Sequence, residues 1–401
     1  MERKQKPLDG IRVLEMGQLI AGPFAGCVLG YFGAEVIKLE PLGGDPLRRW
    51  RELDEEGSSF WWKSMARNKK SITVNLKSDE GKEIVRKLAS KVDVIIENFR
   101  PGTMEKWQIG PEDLKKINPQ LVYTRVSGYG QTGPYKDKPG FASVCEGIGG
   151  FRYLNGFPDQ PPVRPNLSLG DTLAALNAVI GTLLALFSIL KQGKMGKGQV
   201  VDVAIYEAVF NVMESLVPEF DGNGSIRERS GSTLTGIVPT NTYLCNDDSY
   251  VIIGGNGDSI FKRLMIAIGR EDMAEDSRYS ENAGRVEHEK VIDLAINKWT
   301  KNLSSSEVIK TLENAEVPCG PIYNVEDMLN DPHFQSRKLF ETVDIKNKKL
   351  KIPAITPFLN ETPGCTDWAG PDLGSHNHEI FSKILNFDEK MLIDFEKKGI
   401  I

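Results

Sequence analysis

One aspartate lies where a carboxylate could act as a nucleophile. Asp171 closes the segment Arg164–Asp171 and occupies the N-cap position of a helix predicted over Thr172–Leu190. A helix N-terminus favours the ionised form of a carboxylate and stabilises negative charge that develops on it. Gly170 beside it would let a substrate approach the main chain closely. The alternative is that Asp171 only caps the first N–H groups of the helix, and spacing alone favours that alternative.

Two other glycine-rich segments have the spacing of phosphate-binding loops. Gly128–Gly133 matches G-x-G-x-x-G after a predicted strand, but Pro134 and Pro139 prevent a helix from beginning there. A tight turn is therefore favoured over nicotinamide binding. Gly193–Gly198 is followed by Gln199 where a phosphate loop requires lysine, so a solvated turn is predicted.

A further glycine-rich segment follows a predicted strand and precedes a predicted helix. It is formed by Gly254, Gly255, Asn256, Gly257 and Asp258. Such a segment is either an ordinary strand-to-helix turn or a flexible lid that excludes water from an active site.

The composition is that of a globular chain with a small excess of acidic residues. The 401 residues include 50 Lys+Arg and 55 Asp+Glu, a net charge of -5. No strong attraction to nucleic acid or to an anionic membrane is expected. The most apolar stretch, Ala178–Phe187, is shorter than the roughly 20 residues that span a bilayer, and Met1–Gly10 lacks the apolar segment of a signal peptide.

The cysteines and histidines predict neither a disulfide framework nor a metal site. The five cysteines are scattered and contain no C-x-x-C, which predicts a reducing, cytoplasmic compartment. The four histidines begin only at His288 and have no metal-ligand spacing. A Ser-His-Asp arrangement is therefore also poorly supported.

Short apolar segments alternate with helical segments through the first part of the chain. Helices are predicted over Gly22–Tyr31 and Asp79–Ser90, and strands over Ile11–Met16, Glu35–Leu39, Ser71–Leu76, Val92–Ile96 and Leu121–Ser127. Strands separated by helices form a parallel, doubly wound α/β sheet. Ligands of such sheets bind beyond the carboxyl ends of the strands.

The second half of the chain contains a predicted boundary between two domains. A strand over Val200–Ala204 and a helix over Tyr206–Leu216 precede a polar candidate linker, Pro218–Gly236. A second unit begins with a strand at Tyr250–Ile253. Its predicted helices lie near Ser259–Ile268, Val291–Trp299 and Ser305–Ala315.

Segments spread over nearly the whole chain resemble the class III CoA-transferases, the family of formyl-CoA transferase and carnitine CoA-transferase. The segments are Pro7–Glu15, Ala21–Pro23, Gly33–Glu40, Asn68–Ile72, Asn98–Gly102, Gly128–Pro134, Asp171 with its helix, Gly196–Val203 and Val317–Pro321. So many segments in the same order make the resemblance specific. It implies a Rossmann-like large domain built from residues 1–217 and 326–401, a smaller α/β domain inserted over residues 225–325, and an interlocked homodimer.

The resemblance also implies a set of site residues. The nucleophile of the family falls on Asp171. Its CoA contacts fall on Ile20, Ala21, Val74, Asn75, Leu76, Lys77, Asn98, Phe99, Arg100, Lys106, Pro139, Gly140, Phe141 and Ala142. The lid of the family falls on the segment Gly254–Asp258, although its letters differ from the Gly-Gly-Gly-Gly-Gln of formyl-CoA transferase.

Two contact positions depart from the family pattern. Lys106 stands where formyl-CoA transferase has arginine, and lysine supplies charge to a phosphate without the bidentate fork. Ala142 stands where relatives often carry an acidic residue, so no acidic contribution is expected from this position.

The implied reaction is CoA transfer from an acyl-CoA thioester to a free carboxylic acid through aspartyl anhydride and aspartyl-CoA intermediates. CoA and acyl-CoA are then substrates, with no permanently bound cofactor and no metal. An acyl-CoA racemase of the same fold is the nearest alternative, but racemase relatives carry Gly-His-Asp where this chain has Gly140-Phe141-Ala142. A non-catalytic acyl-CoA-binding protein would not need Asp171 as a nucleophile.

Two arginines precede the candidate nucleophile. A guanidinium is a natural partner for a second, non-reacting carboxylate, so Arg152 and Arg164 suggest a dicarboxylate acceptor. The alternative is that Arg164 packs or pairs structurally, and the sequence leaves both readings open.

Overall fold

A computed structural model describes residues 5–346 and 348–401, which form two compact units. The first unit comprises the chain up to Phe151, Pro165–Met213 and His333–Ile401, and the second comprises Arg152–Arg164 and Glu214–Pro332. The prediction had assigned residues 152–164 to the large domain. They belong with the second unit because the Gly231 N–H donates to the Gly156 carbonyl at 3.0 Å and Arg229 Nη1 donates to the Tyr153 carbonyl at 2.9 Å.

The first unit is built on a parallel sheet of six strands in the order β3-β2-β1-β4-β5-β6. The strands of this sheet are β1 Arg12–Glu15, β2 Glu35–Glu40, β3 Lys69–Thr73, β4 Val94–Glu97, β5 Val122–Ser127 and β6 Val200–Ala204. The predicted α/β class is therefore confirmed. The strand predicted over Ser71–Leu76 ends at Thr73, because the next N–H groups leave the ladder and that of Asn75 donates to the Ile400 carbonyl at 2.8 Å.

The remaining strands form two smaller antiparallel sheets. One belongs to the second unit and has the order β7-β8-β9, and the other is a two-stranded pair in the first unit. These strands are β7 Thr240–Leu244, β8 Tyr250–Gly254, β9 Cys319–Pro321, β10 Phe340–Ile345 and β11 Lys348–Pro353.

Helices cover both faces of the large sheet and fill the second unit. In chain order they are α1 Ala21–Tyr31, α2 Phe60–Met65, α3 Asp79–Ala89, α4 Thr103–Lys106, α5 Pro111–Ile117, α6 Ala142–Ile148, α7 Phe151–Leu154, α8 Leu169–Gln192, α9 Ile205–Phe210, α10 Leu216–Asn223, α11 Asp258–Ala267, α12 Glu271–Ala274, α13 Asn282–Glu287, α14 Glu289–Thr300, α15 Ser305–Asn314, α16 Val325–Asn330, α17 Pro332–Ser336, α18 Asn377–Lys383 and α19 Glu389–Lys397.

The alternation of side chains along the strands explains why helices pack on both faces of the large sheet. Val13 of β1 packs in the core cluster that contains α1 and α8, whereas its neighbour Leu14 packs in the cluster that contains α3, α18 and α19. A sheet covered on both faces favours strands that are buried along their whole length, and β4 is buried at all its positions and apolar up to Glu97.

Two predictions about the middle of the chain are corrected. The helix predicted over Tyr206–Leu216 is broken, because Glu214 adopts a left-handed φ of 51° between α9 and α10. The polar segment predicted as a linker from Pro218 begins inside α10.

The long helix α8 starts earlier than predicted. Leu169 and Gly170 are already helical and Ser168 takes the N-cap position, so Asp171 lies in the first turn rather than at the cap. The helix has 24 residues and a mean hydropathy of 2.3 in its most apolar window, so by length and composition alone it could cross a bilayer. This corrects the length argument made from Ala178–Phe187. One such helix is weak evidence, because core helices meet the same criterion and α8 packs on α1, β5 and β6.

Candidate active site

The predicted contact segments share one edge of the large sheet. Because its six strands are parallel, the segments that follow β1, β3, β4 and β5 all leave at the carboxyl edge. Ile20 and Ala21 follow β1, residues 74–77 follow β3, residues 98–106 follow β4 and residues 139–142 follow β5. The edge of the sheet thus brings these four sequence segments together.

Asp171 lies at the same edge. An ideal Cβ placed on Gly170 would lie 3.2 Å from Cγ2 of Ile205, the residue that directly follows β6, and 3.4 Å from Cβ of Ala142. A side chain there would be in unusually tight contact, so the neighbours of Gly170 would have to move by a few tenths of an ångström to accept it. Asp171 itself is partly buried, which leaves its carboxylate within reach of a ligand.

The thiol beside Asp171 is not a competing nucleophile. Cys145 Sγ lies 3.3 Å from the Gly128 carbonyl oxygen, to which it donates. Burial, and to a smaller extent the nearby carboxylates of Asp171 and Glu146, raise the pKa of the Cys145 thiol to about 11. The thiol is therefore protonated at neutral pH, and the carboxylate remains the candidate nucleophile.

The segment after β1 is held by the side chain of Asn98. The Gln18 N–H donates to Asn98 Oδ1 at 2.8 Å, and Asn98 Nδ2 donates back to the Gln18 carbonyl at 2.8 Å. Both polar atoms of this amide are thus used to fix the turn that leads to Ile20 and Ala21. A direct CoA contact by Asn98 stays a prediction.

A buried group of charges supports the same turn, and sequence reasoning missed it. Lys38 Nζ donates to Glu15 Oε1 and Asp45 Oδ2, each at 2.9 Å, and to the carbonyl of Gly17. Asp45 in turn accepts the Leu19 N–H at 3.1 Å. Burial disfavours the charge on Lys38, but the carboxylates of Glu15 and Asp45 outweigh it and raise the pKa of the ammonium. The available signal was a lysine between the apolar residues Ile37 and Leu39 of a buried strand.

The segment after β4 is held from β5 by Arg125. Its Nε donates to Glu97 Oε1 at 2.7 Å and its Nη1 donates to Glu105 Oε1 at 2.6 Å. Glu97 Oε2 also accepts the Phe99 N–H at 2.7 Å. Burial raises the pKa of the Glu97 carboxyl to about 7 against the opposing effect of Arg125. Arg125 therefore fixes both the turn at Phe99 and the short helix α4 that carries Lys106.

The segment after β3 is held by residues far along the chain. The Asn75 N–H donates to the Ile400 carbonyl at 2.8 Å, and Asn75 Nδ2 donates to the Gly399 carbonyl at 3.3 Å. Asn75 Oδ1 accepts the Lys77 N–H at 3.1 Å, so the turn is closed on both sides. Val74 is buried and Leu76 is partly buried, whereas the side chain of Lys77 is exposed.

The glycine turn after β5 is confirmed as a turn. The chain forms bends and turns from Gln131 onward, and α6 begins only at Ala142. An ideal Cβ on Gly140 would lie 3.2 Å from Cα of Gly128 and 3.0 Å from the ring of Tyr129. Pro139 is exposed, Phe141 is 70% exposed and Ala142 is buried, so Phe141 is the large apolar side chain offered to a ligand in this segment.

Arg152, Arg164 and the predicted lid belong to the second unit. Arg152 is partly buried and Arg164 is exposed. In the segment Gly254–Asp258, Arg285 Nη2 donates to the Asn256 carbonyl at 2.7 Å and to Asp258 Oδ1 at 2.8 Å. The segment is therefore a strand-to-helix turn anchored on a buried guanidinium, and its part in covering a substrate stays a prediction.

Within residues 5–346 and 348–401, no three His, Cys, Asp or Glu side chains are grouped so that they could hold a metal ion. The carboxyl edge also carries several cations. Lys77, Arg100 and Lys106 are exposed there.

Known proteins resemble this chain over its whole length. A family profile described as CoA-transferase family III matches residues 8–377. Succinyl-CoA–D-citramalate CoA-transferase of Chloroflexus aurantiacus is 46% identical over 100% of this chain and 99% of its own. The alpha subunit of succinyl-CoA–L-malate CoA-transferase from the same organism is 39% identical, over 100% of this chain and 94% of its own.

A solved structure agrees with these matches. The crystal structure of a CAIB/BAIF family protein from Brucella suis superposes with a TM-score of 0.84 at 31% identity, over 95% of this chain and 100% of its own. Fold, family profile and full-length relatives agree, and the chain belongs to CoA-transferase family III.

Proposed function

We propose that this CoA-transferase moves CoA from succinyl-CoA or a similar thioester to a free dicarboxylic acid, with Asp171 as the nucleophile. The observation that carries the proposal is the place of Asp171 in the first turn of α8, partly buried at the ligand-binding edge of the sheet. Citramalate and malate, the acids in the names of the two relatives, both carry two carboxylates.

The first half of the reaction transfers CoA to the enzyme. A carboxylate oxygen of Asp171 attacks the thioester carbon, and the C–S bond breaks. CoA leaves as a thiolate, and the acyl group stays on Asp171 as a mixed anhydride. The thiolate attacks the Asp171 carbonyl carbon of the anhydride, the C–O bond breaks, and the donor acid leaves as a carboxylate. The product is an aspartyl-CoA thioester.

The second half repeats these steps with the acceptor. The acceptor carboxylate attacks the aspartyl-CoA thioester and releases the thiolate, which forms a second mixed anhydride. The thiolate then attacks the acceptor carbonyl carbon and releases Asp171 as a carboxylate together with the new acyl-CoA. No step needs a proton, so an ionised Asp171 suffices without a general base.

The helix N-terminus supports the charge that develops in these steps. Not all of its N–H groups are available to an oxyanion. The Gly170 N–H donates to Glu146 Oε1 at 3.2 Å, and the Thr172 N–H donates to the Ser168 carbonyl at 3.0 Å. The favourable effect on Asp171 would then come mainly from the field of the helix.

Arginine is the proposed partner of the second carboxylate. Arg152 and Arg164 precede Asp171 in the chain, and a guanidinium binds a carboxylate bidentately. A monocarboxylate would leave such an arginine without this contact, so a dicarboxylate acceptor would be preferred.

We also propose that the protein is a homodimer in which a second copy covers α8. Leu176, Ile180, Leu184 and Phe187 lie three or four residues apart on one face of this helix and are 41%, 56%, 64% and 57% exposed. A cavity of about 460 Å³ lies between α8, α9 and the edge strand β6. An apolar helix face beside an edge strand is typical of a surface that another chain covers.

The proposal is tested by thioester exchange. The protein is incubated with succinyl-CoA and with malate, citramalate or butyrate, and new thioesters are identified by mass spectrometry. We expect transfer to the two dicarboxylates and little to butyrate. Asp171→Ala should lower kcat by about 10⁴-fold or more. Hydroxylamine should trap the wild-type adduct at Asp171.

The exposed aspartate Asp344 on β10 provides the matched control. Asp344→Ala should transfer CoA as the wild type does. Full activity in Asp171→Ala would refute the proposed nucleophile, and equal transfer to butyrate and malate would refute the dicarboxylate acceptor.

A further inference from the structure

A second carboxylate is buried against the turn that presents Asp171. Glu146 lies on α6 and is 0% exposed. Its Oε1 accepts the Gly170 N–H at 3.2 Å, and an ideal Cβ on Gly170 would lie 3.2 Å from Glu146 Cγ. Glu146 thus contacts the residue immediately before Asp171 through both its carboxylate and its aliphatic stem.

This contact replaces the usual local cap of a helix. The first N–H groups of a helix have no partner within the helix, and an N-cap side chain commonly accepts one of them. Ser168 occupies the N-cap position of α8, but the Gly170 N–H goes to Glu146 from another helix. The start of α8 is therefore fixed by tertiary structure, at a point 24 residues away in the sequence.

Burial of this carboxylate is unfavourable in itself. An ionised group loses its hydration in the interior, and Cys145 lies in the electrostatic field of both Glu146 and Asp171. An apolar side chain would fill the same space without that cost. The hydrogen bond from the Gly170 N–H is one gain that an apolar side chain could not provide.

We propose that Glu146 is a positioning residue for Asp171, which sets the place of the nucleophile by holding the first turn of α8 through the Gly170 N–H. The proposal rests on the proposed function, in which Asp171 attacks once, is attacked twice and leaves once as a carboxylate in each cycle. Each step needs the same carbon and oxygen atoms in line with a thiolate or a thioester. A misplacement of about 1 Å in such a geometry can cost about 100-fold in rate.

Two conservative variants separate the hydrogen bond from the charge. Glu146→Gln keeps a carbonyl oxygen at the same length and removes the charge. Glu146→Asp keeps the charge but withdraws the acceptor by one methylene. If the acceptor position matters, Glu146→Gln should keep kcat within about threefold of the wild type. Glu146→Asp should lose roughly 10- to 100-fold in kcat, with KM for succinyl-CoA changed less than about twofold.

Thr182→Val is the matched control on the same helix. Thr182 is 0% exposed, and its Oγ1 lies 2.7 Å from Oγ1 of Thr124, well away from Asp171 along α8. This variant removes a buried hydrogen bond of α8 without touching its first turn. It should lower the thermal midpoint and leave kcat unchanged, whereas Glu146→Asp should lower kcat and the yield of the Asp171 hydroxamate.

The outcomes are distinct. Loss in Glu146→Asp with retention in Glu146→Gln supports the proposal. Unchanged kcat in both variants, equal loss in both, or greater loss in Glu146→Gln would overturn it, because the acceptor position would then not be what matters. Activity in Asp171→Ala would instead refute the proposed nucleophile, and that variant is measured first.

Discussion

At the scale of single residues, the cations at the carboxyl edge give the most direct test of the CoA site. Lys77, Arg100 and Lys106 are exposed, and CoA carries several phosphate groups. Replacing any one by glutamine removes a charge-assisted hydrogen bond, so the dissociation constant for CoA should rise by a factor that corresponds to about 1 to 3 kcal/mol. Isothermal titration calorimetry with CoA measures this change.

Lys116 is the matched control for these cations. It is an exposed lysine near the end of α5, which leads to the amino end of β5 at the opposite edge of the sheet. Lys116→Gln should leave CoA affinity unchanged. If all four variants bind CoA as the wild type does, the three cations are ordinary surface charges.

The sequence predicted which residue types matter better than it predicted their partners. Asp171 drew attention through its place beside a helix start, a local property, and its role as nucleophile came from the family resemblance and stays a prediction. Glu146 and Lys38 were missed because their roles depend on contacts with residues far away in the sequence. The use of the Asn98 amide to hold Gln18 could not be predicted either, since those residues are 80 positions apart.

At the scale of elements, the bridge from β4 through Arg125 to α4 predicts a pH dependence. The pKa of Glu97 is raised from 4.5 to about 7 by burial, so Glu97 binds its proton more tightly in the folded chain than in the unfolded chain. The free energy of unfolding therefore falls as the pH rises through that interval. Glu97→Gln should remove this part of the pH dependence of the free energy of unfolding. Between about pH 5 and pH 8 the variant should therefore gain up to about 3 kcal/mol of stability relative to the wild type. Urea unfolding at both pH values measures it.

Glu105 is the control because its pKa is shifted in the opposite direction from that of Glu97. Burial opposes its ionisation, but hydrogen bonds from Arg125 outweigh burial and lower the pKa of its carboxyl. Its contribution to stability is present at neutral pH and is lost as the pH falls. Glu105→Gln should therefore lose about as much stability relative to the wild type at about pH 5 as at about pH 8, and the loss should shrink only as the pH falls below 4.5, the ordinary pKa of this carboxyl. If the free energy of unfolding depended on pH in the same way in both variants, the pH dependence could not be assigned to Glu97.

The order of elements in the large sheet could be predicted well and their ends less well. Alternating apolar strands and amphipathic helices indicated a parallel α/β sheet, which the structure confirms. The end of β3 and the break between α9 and α10 were wrong in the prediction. The first depends on Ile400 and the second on the left-handed φ of Glu214, and neither has a local signal in the sequence.

At the scale of the whole molecule, the exposed face of α8 predicts the oligomeric state. A second copy that covers Leu184 and Phe187 would be repelled by charge at these positions. Leu184→Glu together with Phe187→Glu should convert the proposed dimer to a monomer, and sedimentation equilibrium measures the mass. Exposed positions of this kind tolerate the change in the monomer with a loss of about 0.5 kcal/mol or less each.

Leu294 is the matched control for this surface. It is 69% exposed on α14, close to the 64% of Leu184 on α8. Leu294→Glu should leave the mass unchanged. A monomeric wild type, or a double variant that remains dimeric, would contradict the proposed interface.

The hydrogen bonds from Asn75 to Gly399 and Ile400 have a consequence for the order in which the protein is made. Asn75 and Gly399 are 324 residues apart. At roughly 5 to 20 residues per second, a ribosome needs roughly 15 to 65 seconds to pass from one to the other. During that interval the turn that carries Lys77 lacks its final partners on the nascent chain. The turn after β3, where CoA contacts are predicted, is therefore completed only when the last residues of the described chain have been made.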